Sequence, residues 1–197
     1  MAVLSFVLAS QSPRRKTLLE WAELPFQIIV SNTDESYAQD LKVEKVPLHI
    51  AKNKALAVKR KIQQMFPHLQ NHCIIAADTV VIFNNTILGK PKNRLEAIEY
   101  LKILSGQTHQ VITGVHLLYQ NQEISFSETT SVEFHNLSLD QIEFYVDKYE
   151  PYDKAGAYAI QEWIGVVGIK KITGDFYNVM GLPVSKLLQE IKQLNFV

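Results

Sequence analysis

The feature that most constrains the fold is the run Ile74-Ile75-Ala76-Ala77-Asp78-Thr79-Val80-Val81-Ile82, nine residues of which only two are polar. Rich in β-branched residues, the stretch Cys73 to Phe83 reads as a strand buried on both faces. Asn84-Asn85 then offers the positive φ angles of a tight hairpin turn before Thr86-Ile87-Leu88. Asp78 breaks the apolar pattern. A lone buried carboxylate is costly, so it needs a cation, a hydrogen-bond network or a raised pKa, and each is a common way to build a catalytic site. The plainer alternative puts Asp78 at the strand's end, beside water.

The rest of the chain alternates strand and helix signals. Val3 to Leu8 reads as a buried strand running into a helix with Ser12 as N-cap, Pro13 at its first position, and Leu18, Trp21 and Ala22 facing inward. Phe26 to Val30 reads as a short strand and Ser31 to Lys45 as a polar, mobile loop. Ala51, Ala55, Val58, Ile62 and Met65 define one face of a helix ending before Pro67. Asn93 with Glu96 resembles a capping box for a helix through Leu101 and Leu104, closed by Gly106. Val111 to Tyr119 and Ile124 to Phe134 alternate as two strands around an Asn121-Gln122 turn, and Ser138 with Gln141 caps a helix through Tyr149. A strand at Val166 to Ile172, a turn at Thr173-Gly174, a short strand at Phe176 to Met180 and a helix from Pro183 complete the chain. With 197 residues, 47% of them hydrophobic, the expectation is one α/β domain with a mixed sheet.

Composition removes several function classes. Lys plus Arg and Asp plus Glu both total 20, so no global field draws the chain to nucleic acid or an anionic membrane, and any anion site is local. Cys73 is the only cysteine, which excludes an intrachain disulfide and a thiolate zinc cluster and fits a reducing, cytoplasmic setting. Val3 to Ala9 lacks a basic flank and is far shorter than the ~20 residues of a membrane span, so neither targeting segment nor span is expected. Neither a Walker A loop nor a G-x-G-x-x-G fingerprint occurs. His68 and His72 have i,i+4 spacing, but Pro67 and Asn71 argue for a loop rather than a zinc helix.

Arg14, Arg15 and Lys16 crowd the first turn of a helix, where the macrodipole is already positive. The hydroxyls of Ser10 and Ser12, the turn's free N–H groups and two guanidinium forks together suit phosphate oxygens; the alternative is a solvated basic cluster. Beside a triphosphate, Asp78 can hold Mg²⁺ or accept a proton from the attacking water, and the sequence leaves both open. Lys54 on the long helix and Lys90 in Gly89-Lys90-Pro91 can neutralise phosphate, although a helix lysine usually faces water. Asp34-Glu35 offers Glu35 as a second metal carboxylate, or merely solvates its loop. Small residues between Asp153 and Gln161 let backbone approach a ligand, and the Gln161 amide can match the N3–H and O4 edge of uracil or thymine; ordinary backbone hydrogen bonding is the alternative.

These stretches, in order, resemble the Maf family of nucleotide pyrophosphatases, named for septum formation inhibition. The matching segments are Leu8 to Arg15, Ala77 to Val81, Gly89 to Pro91, Leu104 to Gly106, Asp153 to Gln161 and Gly174 to Pro183. The resemblance implies an elongated mixed β-sheet flanked by helices, as in inosine triphosphate pyrophosphatases. It also implies a homodimer and divalent-metal-dependent hydrolysis, by Mg²⁺ or Mn²⁺, of a nucleoside triphosphate to monophosphate and pyrophosphate. Asp78 falls where the family places its proton acceptor. Arg14, Thr79 and Gln161 fall on base-selecting positions and agree with the dTTP/UTP branch rather than the 7-methyl-GTP branch. Ala159 and the bulky Glu162-Trp163 pair depart from the family pattern, so Trp163 is placed to reshape a base pocket. A non-catalytic nucleotide-binding regulator of division is the competing reading, and the presence of Asp78 and the lysines speaks against it.

Overall fold

The computed structural model describes residues 5–69 and 71–194. Val3 and Leu4 of the first expected strand lie outside them. Among the described residues are seven strands and seven α-helices, in the order β1 (Phe6–Leu8), α1 (Pro13–Trp21), β2 (Phe26–Ile28), α2 (Val46–Met65), β3 (Cys73–Phe83), β4 (Thr86–Leu88), α3 (Arg94–Leu104), β5 (Thr108–Tyr119), β6 (Gln122–Phe134), α4 (Leu139–Tyr149), α5 (Trp163–Gly168), β7 (Ile169–Thr173), α6 (Phe176–Met180) and α7 (Val184–Ile191). The sheet is mixed, with order β2-β1-β3-β5-β6-β7 and β4 paired to β3. Both β1/β2 and β1/β3 are parallel, whereas β3/β4 and β6/β7 are antiparallel. Contacts divide the chain into two units. The first comprises residues up to Asp78, Thr113–Glu128 and the chain from Gly181; the second comprises Thr79–Ile112 and Thr129–Met180.

In the first unit, Val7, Ala55, Val58, Ile62, Ile74, Ala76 and Leu118 form a core. The α2 spacing places Ala51, Ala55, Val58 and Ile62 inward, as expected, but Met65 at the helix end is 63% exposed. Trp21 likewise ends α1 in water at 63% exposure, and the inner face is Leu18, as expected, with Arg15 and Leu19. Both errors fall in a last helical turn, where the apolar face outruns the surface it packs on. At Gly114 a Cβ would lie 2.3 Å from the Leu48 backbone nitrogen, so only glycine lets β5 meet the start of α2.

The second unit has its own core, with Val81, Leu101, Leu104, Val132, Phe134, Tyr145, Val146 and Tyr158 among its members. Asn84 and Asn85 take φ 47° and 62°, the left-handed pair expected of the β3/β4 hairpin. Ser138 and Gln141 make the full reciprocal capping box of α4. At α3 only half forms: the Asn93 side chain accepts from Glu96 N–H, while the Glu96 carboxylate accepts from Lys92 N–H. The strand expected from Val166 is borne out only from Ile169, as β7, and the strand expected at Phe176 to Met180 is a helix. Val166 to Gly168 belong to α5, and Phe176 to Met180 form α6, where buried Asn178 donates to the Val111 carbonyl and the Thr130 hydroxyl. The β5/β6 turn falls on Gln120-Asn121, one residue early, with Gln120 at φ 53°. From Val111 onward β5 is buried at every position rather than alternately, whereas β6 alternates toward its end as Thr130, Val132 and Phe134.

Candidate active site

Register builds the first unit's site. Leu8 of β1 pairs with Ile75 of β3, and Ala9 N–H donates to the Ile75 carbonyl at 2.8 Å, so the chain leaving β1 at Ser10 runs level with the approach to Asp78. Loops beyond the carboxyl ends of parallel strands are where α/β folds place ligands. Within β3, Asp78 and Thr79 are the two half-open positions between Cys73 and Ile82; the others are buried. Asp78 is therefore mid-strand, not at the strand's end.

Asp78 meets a cation. The Lys54 ammonium lies 2.7 Å from Asp78 Oδ1 and 2.8 Å from Glu35 Oε1. The Lys54 and Asp78 side chains are 16% and 14% exposed, so this pair is shielded, while Glu35 reaches it from an exposed position. Lys54 does not face water as a helix lysine usually does. It stands three residues after buried Ala51 and four before buried Val58, a spacing that already set it beside the inner face. Asp34 does not join the cluster: it accepts from the Ser36 backbone and hydroxyl at 2.9 and 2.7 Å and shapes its own loop.

At the head of α1, the donors thought free are largely used by the protein itself. Ser12 N–H donates to the Ser10 hydroxyl at 3.2 Å, Arg15 N–H to the Ser12 hydroxyl at 3.5 Å and Lys16 N–H to the Ser12 carbonyl at 3.2 Å; Pro13 has no N–H. An anion placed here would meet side-chain cations more than helix amides. Arg15 is buried and aimed: Nε donates to the Gly181 carbonyl at 2.8 Å and Nη1 to the Ser10 hydroxyl at 3.1 Å. Ser10 thus accepts twice, which directs its remaining O–H proton elsewhere. The Arg15 pKa is lowered, chiefly by burial; Asp78 opposes that shift, Arg14 adds to it and Glu35 opposes it. A guanidinium stays charged regardless. Gly181, 166 residues away in sequence, is a positioning group that sequence reasoning missed; its only signal was its place in the Gly174 to Pro183 motif. Arg14 and Ser12 are half-buried in the same turn.

Thr79, Lys90 and Gln161 belong to the second unit. Thr79 is half-buried, and Lys90 and Gln161 are exposed. The Gly89 carbonyl accepts from Gly156 N–H at 3.0 Å, which fixes the backbone that carries Lys90. Gly156 itself, at φ 67°, abuts a protein side chain: a Cβ there would lie 2.9 Å from Val81. Trp163 packs edge-on against Phe144, ring centroids 4.8 Å apart.

Among the described residues no three His, Cys, Asp or Glu side chains gather as a metal site, and the single turn at Pro67–Leu69 bears out a loop near His68 and His72. Asp78 and Glu35 nevertheless converge on one ammonium, a spot where two anionic oxygen donors already accept a positive centre. Magnesium is typically held by one or two carboxylates with phosphate and water completing the shell, and this pair fits that pattern. No helix among the described residues is long and apolar enough to cross a membrane.

Comparison with known proteins places these features in one family. The family model described as Maf-like protein matches residues 5–194. A dTTP/UTP pyrophosphatase of Cytophaga hutchinsonii is 49% identical over 188 residues, covering 95% of this chain and 83% of that protein. Another, of Parabacteroides distasonis, is 46% identical over 187 residues, covering 94% of each. The solved Ham1 protein of Staphylococcus aureus overlays with a TM-score of 0.49 at 17% identity, covering 96% of this chain and 98% of that one.

Proposed function

The chain belongs to the Maf-like family, and we propose on that premise that it is a nucleoside triphosphate pyrophosphatase converting dTTP and UTP to the monophosphate and pyrophosphate. The observation that carries the reading is the shielded Lys54–Asp78 pair at 2.7 Å, with buried Arg15 electrostatically coupled to that same carboxylate. A carboxylate among cations is suited to reaction at an anionic phosphorus centre. The cations attract and neutralise phosphate oxygens, and the carboxylate takes the proton that water gives up.

Arg14 and Arg15 grip the triphosphate, Arg15 pre-aimed by Ser10 and Gly181 so that little side-chain entropy is lost on binding. The hydroxyls of Ser10 and Ser12 add donors to phosphate. Lys54 orients Asp78 and offsets charge, and Lys90 supplies a further ammonium. Asp78 accepts the proton of the water that attacks the α-phosphorus, and pyrophosphate leaves. When bound to Asp78 and Glu35, a divalent cation, Mg²⁺ before Mn²⁺, supplies Lewis acidity and charge neutralisation toward phosphate oxygens. The Gln161 amide, with Thr79 and Arg14, selects uracil and thymine through the N3–H and O4 edge. The working form is a homodimer in the cytoplasm, a reading supported by family resemblance alone.

Purified protein with Mg²⁺ and a nucleotide panel should release pyrophosphate fastest from dTTP or UTP. Orthophosphate as the first product contradicts the reading, and so does tight nucleotide binding without metal-stimulated turnover.

A further inference from the structure

Gln161 rides on a turn of four residues, Ala159 to Glu162, closed by Glu162 N–H donating to the Ala159 carbonyl at 3.1 Å. Behind that turn stands Tyr145 of α4, whose side chain is fully buried. Its hydroxyl bridges the two ends of the turn, accepting from Ala159 N–H at 3.2 Å and donating to Glu162 Oε2. Burial first, and then Glu162, raise the phenol pKa, so the hydroxyl keeps the proton it donates.

The Glu162 carboxylate occupies the N-cap position of α5 yet makes no cap bond. Instead it faces Tyr145 and the ammonium of Lys154, 3.4 Å from Oε1; that ammonium also pairs with Asp153 at 2.8 Å and its side chain is only 9% exposed. The turn is held from the other side as well. A Cβ on Gly165 would lie 1.8 Å from the Ile160 carbonyl oxygen, so α5 lies directly against the turn and admits only glycine there. Trp163, anchored on Phe144, fixes the residue that follows. Of the three residues that depart from the family pattern, Glu162 and Trp163 thus engage α4 and Lys154 of their own unit.

Resting on the reading that Gln161 selects the base, we propose that Tyr145, acting with Glu162 and Lys154, is a specificity-determining positioning residue. Its hydroxyl fixes the Ala159–Glu162 turn and thereby the direction in which the Gln161 amide presents its donor and acceptor. Uracil and cytosine differ by exchange of donor and acceptor at positions 3 and 4, so an amide held in one direction separates them and an amide free to turn does not.

The test is kcat/KM for UTP and CTP in four proteins: the parent, Tyr145→Phe, Gln161→Ala and the double variant. Tyr145→Phe deletes only the bridging oxygen. Its UTP-to-CTP ratio is expected to fall about tenfold, mostly through the KM for UTP with kcat largely kept, as for a lost orienting contact. In the Gln161→Ala background, adding Tyr145→Phe should leave the ratio where Gln161→Ala alone put it. A uniform loss for both nucleotides, with the ratio preserved, would show a merely structural role and overturn the proposal. If Gln161→Ala itself leaves the ratio unchanged, the base-selection reading fails and the proposal with it; if Gln161→Ala lowers the ratio and Tyr145→Phe does not, the proposal fails alone. Should Tyr145→Phe fold poorly, Glu162→Gln keeps the side chain's shape while removing its charge, and a smaller fall in the same ratio is expected; an unchanged ratio again overturns the proposal.

Discussion

The cluster around Asp78 and the turn around Gln161 solve opposite problems. At Asp78, one shielded ammonium is held directly by two carboxylates, and a buried guanidinium acts on them through charge. At Gln161 the exposed side chain is neutral and its support lies underneath, in a buried phenol and a lysine–glutamate pair. Charge concentrated in low dielectric suits a reaction that moves charge on phosphorus, and a neutral amide on a rigid turn suits discrimination between bases of equal charge. Catalysis and selectivity are therefore expected to respond separately to substitution.

The sharpest break would come from Asp78→Asn. Its kcat should fall on the order of 10³-fold while thermal stability stays close to the parent, because asparagine keeps the shape and can still accept from Lys54; an unfolded variant would make Asp78 structural. Lys54→Met, which removes the ammonium that both carboxylates face, should cost about 10²-fold in kcat with base preference unchanged. A shifted UTP-to-CTP ratio in that variant would contradict the separation of roles.

Stability in the second unit should carry a pH signature of its own. His109 is buried, with Nε2 2.7 Å from the Tyr158 hydroxyl, and burial pushes its pKa down to about 4. The unfolded ring titrates near ~6.5. Between those values the unfolded chain binds more protons, so the stabilisation is complete above the upper value and is lost as pH falls, by about 3 kcal/mol near pH 4. Urea melts at pH 7 and 4.5 should show that loss in the parent and a much smaller one in His109→Leu. Burial also lowers His72 and His116, leaving a residual slope of the same sign. The smallest effect is expected at Ser12→Ala: its cap bond to Arg15 N–H is long, so melting should register only about 0.5 kcal/mol.

The two regions also differ in how far the sequence discloses them. Asp78 was conspicuous because a carboxylate inside an apolar, β-branched run demands a partner, and the strand, its Asn84-Asn85 turn and the α4 capping box are encoded by neighbours in sequence. Its partner was less visible: Lys54 is 24 residues away, and only its place between Ala51 and Val58 hinted at an inward face. Nothing local joins Arg15 to the Gly181 carbonyl, or Tyr145 to the turn that carries Gln161. The misread elements share one cause. Val166 to Gly168 and Phe176 to Met180 are short apolar runs, for which periodicity cannot separate strand from helix, and Asn178 bonding to Val111 and Thr130 holds α6 by tertiary contacts that propensity does not express.

The central claim, that the protein directs water to the α-phosphorus, is tested most directly by hydrolysing UTP in H₂¹⁸O and weighing both products. Attack at the α-phosphorus places the label in the monophosphate and leaves pyrophosphate unlabelled, which is the expected result. Label recovered in pyrophosphate would mean attack at the β-phosphorus and would contradict it.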